Sequence, residues 1–418
     1  MRRVTAALAA AGVAASVLFI GPAAHADYIR DLQYWLDDYG IREAWGVTEG
    51  EGITIAIIDT GVDGSVDDLR NAVVGGRDFS GIGSSDGQKG VGSSGDHGTW
   101  VASLAAGHGY GPNNESGIKG SAPRAKILTA SIGFGVGTSS SDDQIAEAVK
   151  WAVDAGADVI NMSLTRNTLE WPTSWDEAFL YAFDHDVVVV AAAGNRGSGT
   201  SQVGAPATMP GVLVVGGLDR NGQASWDASS QGITIGVSAP SEELVGVNQG
   251  GAYVSWAGTS GATPIVAGVV ALVRAAHPEL DAGDIIHRIT ETARPVGGVE
   301  TSPIYGHGLL DAAAAVSATV PRIDPAPADE LREWIRVHRR AAGDDVEPTF
   351  GPSEPPAAPP ASTPIPGASV DSPLGTVLPD VARLRDVGIP LLLYGGLLAA
   401  LVTWGVLFRR AVLRRRER

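Results

Sequence analysis

The sequence predicts an α/β protein of three layers, with helices on both faces of a mainly parallel central sheet, followed by one C-terminal transmembrane helix. Three observations carry that expectation. Short apolar runs rich in β-branched residues, such as Ile53-Thr54-Ile55-Ala56-Ile57-Ile58, Val159-Ile160-Asn161-Met162-Ser163 and Val187-Val188-Val189-Val190, have the length and composition of buried parallel strands. Helical patterns alternate with them, which indicates βαβ units around one sheet. Near the end, residues 387–408 are uncharged and mostly apolar; about 22 residues at roughly 1.5 Å each reach about 33 Å, enough to span a bilayer.

The chain begins Met1-Arg2-Arg3, continues through apolar residues 6–20 and reaches Ala24-His25-Ala26. Charge, apolar core and small-residue cleavage site in that order predict a secretory signal peptide over residues 1–26. Residues 27–48 form an N-terminal extension, too short for an independent domain, with Trp35, Leu36 and Trp45 anchoring it to the large domain. That single large domain is expected over residues 49–320. Export permits disulfides, yet the chain has no Cys, so stability must come from packing and thiol chemistry is excluded.

Lys and Arg total 30 against 47 Asp and Glu, for a net charge of −17, while Arg residues crowd the last ten positions. The exported part is therefore strongly acidic, which argues against nucleic-acid binding and suits a soluble extracellular surface.

Inside the domain, Ser141-Asp142-Asp143-Gln144 reads as a capping box ahead of a helix that Gly156 closes. Asp281 is placed to cap a helix carrying Ile285, Ile286 and Ile289. His185, His277, His287 and His307 lack partners at metal-ligand spacing and read as surface or core histidines. Residues 321–386 are a linker in which Leu331, Trp334 and Ile335 fall on one helical face, docking on the domain or the membrane surface. Its stretch 347–379, rich in Pro, Ala and Ser, is a semi-rigid spacer. The basic tail 409–418, with Arg409-Arg410 and Arg414-Arg415-Arg416, stays inside by the positive-inside rule, leaving the domain outside the cell membrane.

Three motifs carry chemistry. Gly258-Thr259-Ser260-Gly261-Ala262-Thr263-Pro264 heads a long apolar helix, so Ser260 is either a nucleophile beside free helix N–H groups or merely an N-cap. Asp59, in Asp59-Thr60-Gly61, ends the first strand, where open α/β sheets build their sites. His97, in Asp96-His97-Gly98-Thr99, opens an apolar stretch and is the candidate base.

In the order Asp, His, Ser, with Asp59-Thr60-Gly61, His97-Gly98-Thr99 and Gly258-Thr259-Ser260, residues 45–317 resemble the subtilisin-like serine peptidases. The resemblance implies a subtilisin-like fold and an endopeptidase triad in which Asp59 orients, His97 transfers protons and Ser260 attacks. It implies that Asn195, in Ala192-Ala193-Gly194-Asn195, donates to the oxyanion. It also implies that Ser163-Leu164 and Ser131-Ile132-Gly133 border the first specificity pocket and hold a peptide substrate by strand addition; ordinary sheet edges are the alternative. The family often binds calcium, but no Asp-rich loop here names ligands, and no other cofactor is expected. Two positions depart from the usual pattern. Trp100 stands where a second His is common and is expected to pack beneath the His helix, and Gly261 stands where Met or an aromatic is common and is expected to loosen the start of the Ser helix.

The layout of signal, extension, peptidase domain, Pro-rich linker, span and basic tail is similar to that of the mycosins, membrane-anchored subtilases of type VII secretion systems. That likeness implies substrates among secreted proteins and contacts with secretion membrane components. A structural subunit with dispensable proteolysis and a general surface subtilase are the alternatives.

Overall fold

Alternating burial explains the sheet. In β1 (Thr54–Asp59), Ile55 and Ile57 face one apolar cluster while Ala56 and Ile58 face another, and each is fully buried. A strand covered on both faces must be apolar on both, which is why the run is continuous. The computed structural model describes residues 28–200, 202–323, 326–339 and 361–365; the expected signal peptide, span and tail lie outside them.

β1 sits within seven strands, the others being β2 (Val73–Asp78), β5 (Lys126–Ser131), β6 (Val159–Met162), β7 (Val188–Ala192), β8 (Leu213–Leu218) and β9 (Ile235–Pro240). Their order is β2-β5-β1-β6-β7-β8-β9, and every pairing is parallel. Small antiparallel elements flank this sheet: β3 (His108–Tyr110) with β4 (Ser116–Lys119), and β10 (Leu244–Val247) with β11 (Tyr253–Trp256). Helices Ser141–Asp154 and Thr173–Asp184 cover one face; helices His97–Ala106 and Thr259–Ala276 cover the other. The three-layer, parallel-sheet expectation holds. Helix Thr259–Ala276 is long and apolar enough to cross a membrane, but 83% of it is buried in the domain, as a core helix should be.

Local readings meet the structure unevenly. Asp281 does cap its helix, accepting from Asp284 N. The capping box is displaced by one residue: Ser140 Oγ accepts from Asp143 N. Ser141 and Gln144 instead grip the loop before the helix, Ser141 Oγ donating to Gly133 O at 2.8 Å and Gln144 Oε1 accepting from Gly133 N at 2.7 Å.

The N-terminal extension is part of the core. Trp35, Leu36 and Ile41 are wholly buried. Trp45 Nε1 donates to Ser121 O, and Gln33 exchanges two hydrogen bonds with the backbone of Lys119. Beyond the sheet, helix Pro327–His338 docks on the domain through fully buried Leu331 and a Trp334–Trp171 ring contact at 4.2 Å.

The spacer expectation needs one correction. Within it, β12 (Thr363–Pro364) pairs antiparallel with β11, placing Pro364 opposite Val254 and Thr363 opposite Ser255. Ile365 N donates to Tyr253 O at 3.2 Å, and its side chain packs on the core. The neighbouring N of Pro364 then points away from β11, so the missing N–H costs no ladder bond.

Tyr253 also binds Asp68, a carboxylate with no solvent exposure. Asp68 accepts from Tyr253 Oη at 2.9 Å and from Ile118 N at 2.5 Å, joining β11, β4 and the 3₁₀ turn Asp67–Leu69. Burial pushes its carboxyl up to about 6.

Candidate active site

Four adjacent parallel strands, β5, β1, β6 and β7, end on the same edge of the sheet, and the predicted residues other than His97 and Ser260, which head helices, sit at or just past those ends. Asp59 is the last residue of β1; Ser163 and Leu164 follow β6; Ala193-Gly194-Asn195 follow β7.

Asp59 and His97 are both buried, and His97 Nδ1 lies 2.8 Å from Asp59 Oδ1 and 3.0 Å from Oδ2. Thr60 N donates to Asp59 Oδ1 at 2.7 Å, while Thr60 Oγ1 accepts from Gly98 N. A side chain at position 98 would place Cβ 2.3 Å from Gly61 O. Glycine there lets the two motifs press together backbone to backbone. His97 Nε2, on the opposite side of the ring, is buried with no hydrogen-bond partner among the described residues. An imidazole anchored at Nδ1 and unspent at Nε2 is an acceptor waiting for a proton.

Ser260 stands in the first turn of helix Thr259–Ala276, where the leading N–H groups have no helical partner. Its Oγ donates to Ser163 O at 3.2 Å rather than to His97. Pro264, four residues on, has no N–H for the carbonyl of Ser260, and Ser163 Oγ supplies the missing donor at 2.8 Å. Asn161 Nδ2 in turn donates to Ser163 Oγ at 3.0 Å. Sequence reasoning placed Ser163 at the substrate and missed this second role, although a proline four residues past the serine was its signal.

Asn195 is oriented by Thr259, the residue before Ser260. Its Oδ1 accepts from Thr259 N at 2.8 Å and from Thr259 Oγ1 at 2.9 Å, and Thr259 Oγ1 also accepts from Gly194 N. A backbone N–H can only donate, so oxygen must face it, which leaves Nδ2 as the spare donor near the head of the serine helix.

Ser131 and Gly133 are engaged elsewhere. Ser131 Oγ donates to Asp78 and its carbonyl accepts from Phe79 N, while both backbone polar groups of Gly133 are held by Gln144 and Ser141. Leu164 is buried in the cluster beneath.

Trp100 and Gly261 belong to one aromatic arrangement. The rings of Trp100 and Trp256 stand 5.9 Å and 5.8 Å from that of His97 and 5.3 Å from each other, and Trp100 Nε1 donates to Asn248 Oδ1. A Cβ on Gly261 would lie 2.3 Å from Leu244 Cδ1 and 3.2 Å from the Trp256 ring. Gly261 vacates the space that Trp256 and Leu244 fill. Trp100 packs beside His97 as well as beneath its helix. Among the described residues, no group of three or more acidic, His or Cys side chains could hold a metal ion.

Comparisons with known proteins agree with this geometry. The model of the subtilase family matches residues 50–308. A thermophilic serine proteinase of Bacillus sp. strain AK1 is 36% identical over 280 residues, covering 67% of this chain and 66% of that protein. Mycosin-3 of Mycobacterium tuberculosis is 35% identical, covering 66% of this chain and 70% of its own. Among solved structures, MycP1 from the ESX-1 type VII secretion system superposes with a TM-score of 0.59 at 28% identity, over 70% of this chain and 88% of that one. With its parallel sheet and its family match over most of the domain, this chain belongs to the subtilase family of serine peptidases.

Proposed function

We propose that this protein is a membrane-anchored, extracytoplasmic serine endopeptidase in which Asp59, His97 and Ser260 act as the triad. The buried His97–Asp59 contact at 2.8 Å, with Nε2 left without a partner, is the observation that carries it. Asp59 holds Nδ1–H, so His97 presents a basic Nε2. A peptide strand that takes Ser163 O would release Ser260 Oγ, which turns to His97, gives up its proton and attacks the scissile carbonyl. The oxyanion then meets Asn195 Nδ2 and an N–H at the helix start, and His97 returns the proton to the leaving amine. Extended peptides are the substrate class, with Ser163 and Leu164 as the binding edge and Ser131 and Gly133 as framework of the opposite wall.

The placement rests on the sequence layout: signal over 1–26, extension over 27–48, peptidase domain over 49–320, linker over 321–386, span over 387–408 and inward tail over 409–418. Similarity to Mycosin-3 and to MycP1 from the ESX-1 type VII secretion system supports a role in such a system. Labelling the full chain with a fluorophosphonate tests the chemistry: labelling lost in Ser260→Ala supports the triad, and labelling unchanged in that variant refutes it. Comparing a deletion strain with a Ser260→Ala strain tests the setting. Secretion lost only in the deletion makes the protein a structural component too, and normal secretion in both removes the secretion role.

A further inference from the structure

The linker's docked segment touches the strand that walls the catalytic histidine. β11 ends at Trp256, 3% exposed, whose ring lies 5.8 Å from His97. Ala257 and Gly258 alone separate it from the helix that starts at Thr259 and carries Ser260. One short strand thus sets both the aromatic wall of His97 and the entry of the Ser260 helix. In its sheet the order is β10-β11-β12, so the outer neighbour of β11 is the linker segment 361–365. Without that segment β11 becomes a free edge with unpaired backbone groups and no cover from Ile365.

We infer that residues 361–365 are a positioning element of the catalytic unit: docked on β11, they hold Trp256 and, through it, His97 and the approach to Ser260. The inference rests on the reading of His97 and Ser260 as base and nucleophile. It differs from a spacer role, because a spacer's sequence and docking would leave turnover untouched. Small errors in the placement of reacting groups are expensive, of the order of a hundred-fold in rate for about 1 Å. Loosening one wall of His97 should cost about ten-fold.

The test uses the full chain in detergent, a fluorogenic tetrapeptide anilide that the wild type cleaves, and the rate of fluorophosphonate labelling. Ile365→Asp places a charge on the apolar contact and should lower kcat and the labelling rate about ten-fold, with KM changed less than two-fold. Ile365→Val, which keeps the contact, should restore wild-type kcat. Replacing residues 361–365 by a Gly/Ser stretch of equal length adds no charge and should reproduce the loss, and a free peptide covering 359–367 should restore the rate. Wild-type kcat in the Gly/Ser variant overturns the inference, as does a loss that appears equally in KM. Absence of Ser260-dependent labelling in the wild type would instead defeat the triad reading on which it stands.

Discussion

Asn195 Oδ1 accepts a hydrogen bond from Thr259 N at 2.8 Å, so the residue before Ser260 fixes which face of the Asn195 amide is free. Asn195→Asp keeps that acceptor and loses the donor. Its kcat should fall by about a hundred- to a thousand-fold, the range for removing one oxyanion donor from a serine peptidase, with little change in KM and no loss of melting temperature. A higher KM at constant kcat would make Asn195 a ground-state contact.

In the proposed mechanism Asp59, His97 and Ser260 act as one unit, of which the structure shows the buried Asp59–His97 pair already hydrogen-bonded. Single alanine substitutions should each remove nearly all peptide turnover, and the triple variant should be hardly slower than the worst single one. Steady-state kinetics of the four variants decide it; independent, additive losses would break the unit.

Gly261→Met is expected to be costly, since its Cβ alone would stand 2.3 Å from Leu244 Cδ1 in a fully buried setting. Overpacking of this kind costs about 1–3 kcal/mol. Thermal unfolding should show the loss, and kcat should fall with it because Trp256 must move against His97. The double variant Gly261→Met, Leu244→Ala should recover part of both.

Asp68 gives a pH signature in stability. Its folded-state carboxyl is raised to about 6 from an ordinary value of 3.8, with burial as the largest cause. Between those values the unfolded chain has released its proton while the folded protein retains it. The contribution is therefore complete below about pH 4 and is lost as pH rises through about 6, a fall of about 3 kcal/mol at about 1.4 kcal/mol per unit. Asp68→Asn keeps the acceptor toward Ile118 N and, without titrating, presents an amide N–H to Tyr253 Oη, whose hydroxyl then accepts. Melting curves from pH 4 to 7 should show the wild type losing stability relative to Asp68→Asn; a constant difference would place the carboxyl in its ordinary range.

The parts of the site that local pattern could reveal were those built from neighbours in sequence. Asp59 ends a strand, His97 opens a helix and Ser260 opens another, so each is marked by its own segment. The features that escaped depend on distant partners. Ser141 and Gln144 have the spacing of a capping box, but Gly133 recruits both, and the capping role passes to Ser140. Gly261 looks like a weak helix position until Leu244 and Trp256 arrive from β10 and β11. Composition marks residues 347–379 as spacer, and composition does not report that a free strand edge at β11 waits for an extended segment.

Under the proposed anchoring, that docked segment would also shorten the tether. From Arg339, where the docked helix ends, to a span starting at 387 there are about 47 residues, which fully drawn out at about 3.1 Å each would allow roughly 145 Å. With 361–365 seated on β11, only about 21 residues remain between Ile365 and the proposed span, and the limit falls to about 65 Å. On the proposed anchor, docking of 361–365 would thus set the length of the tether, and a cleavage site presented beyond that tether would be out of range however well its sequence fits the pocket.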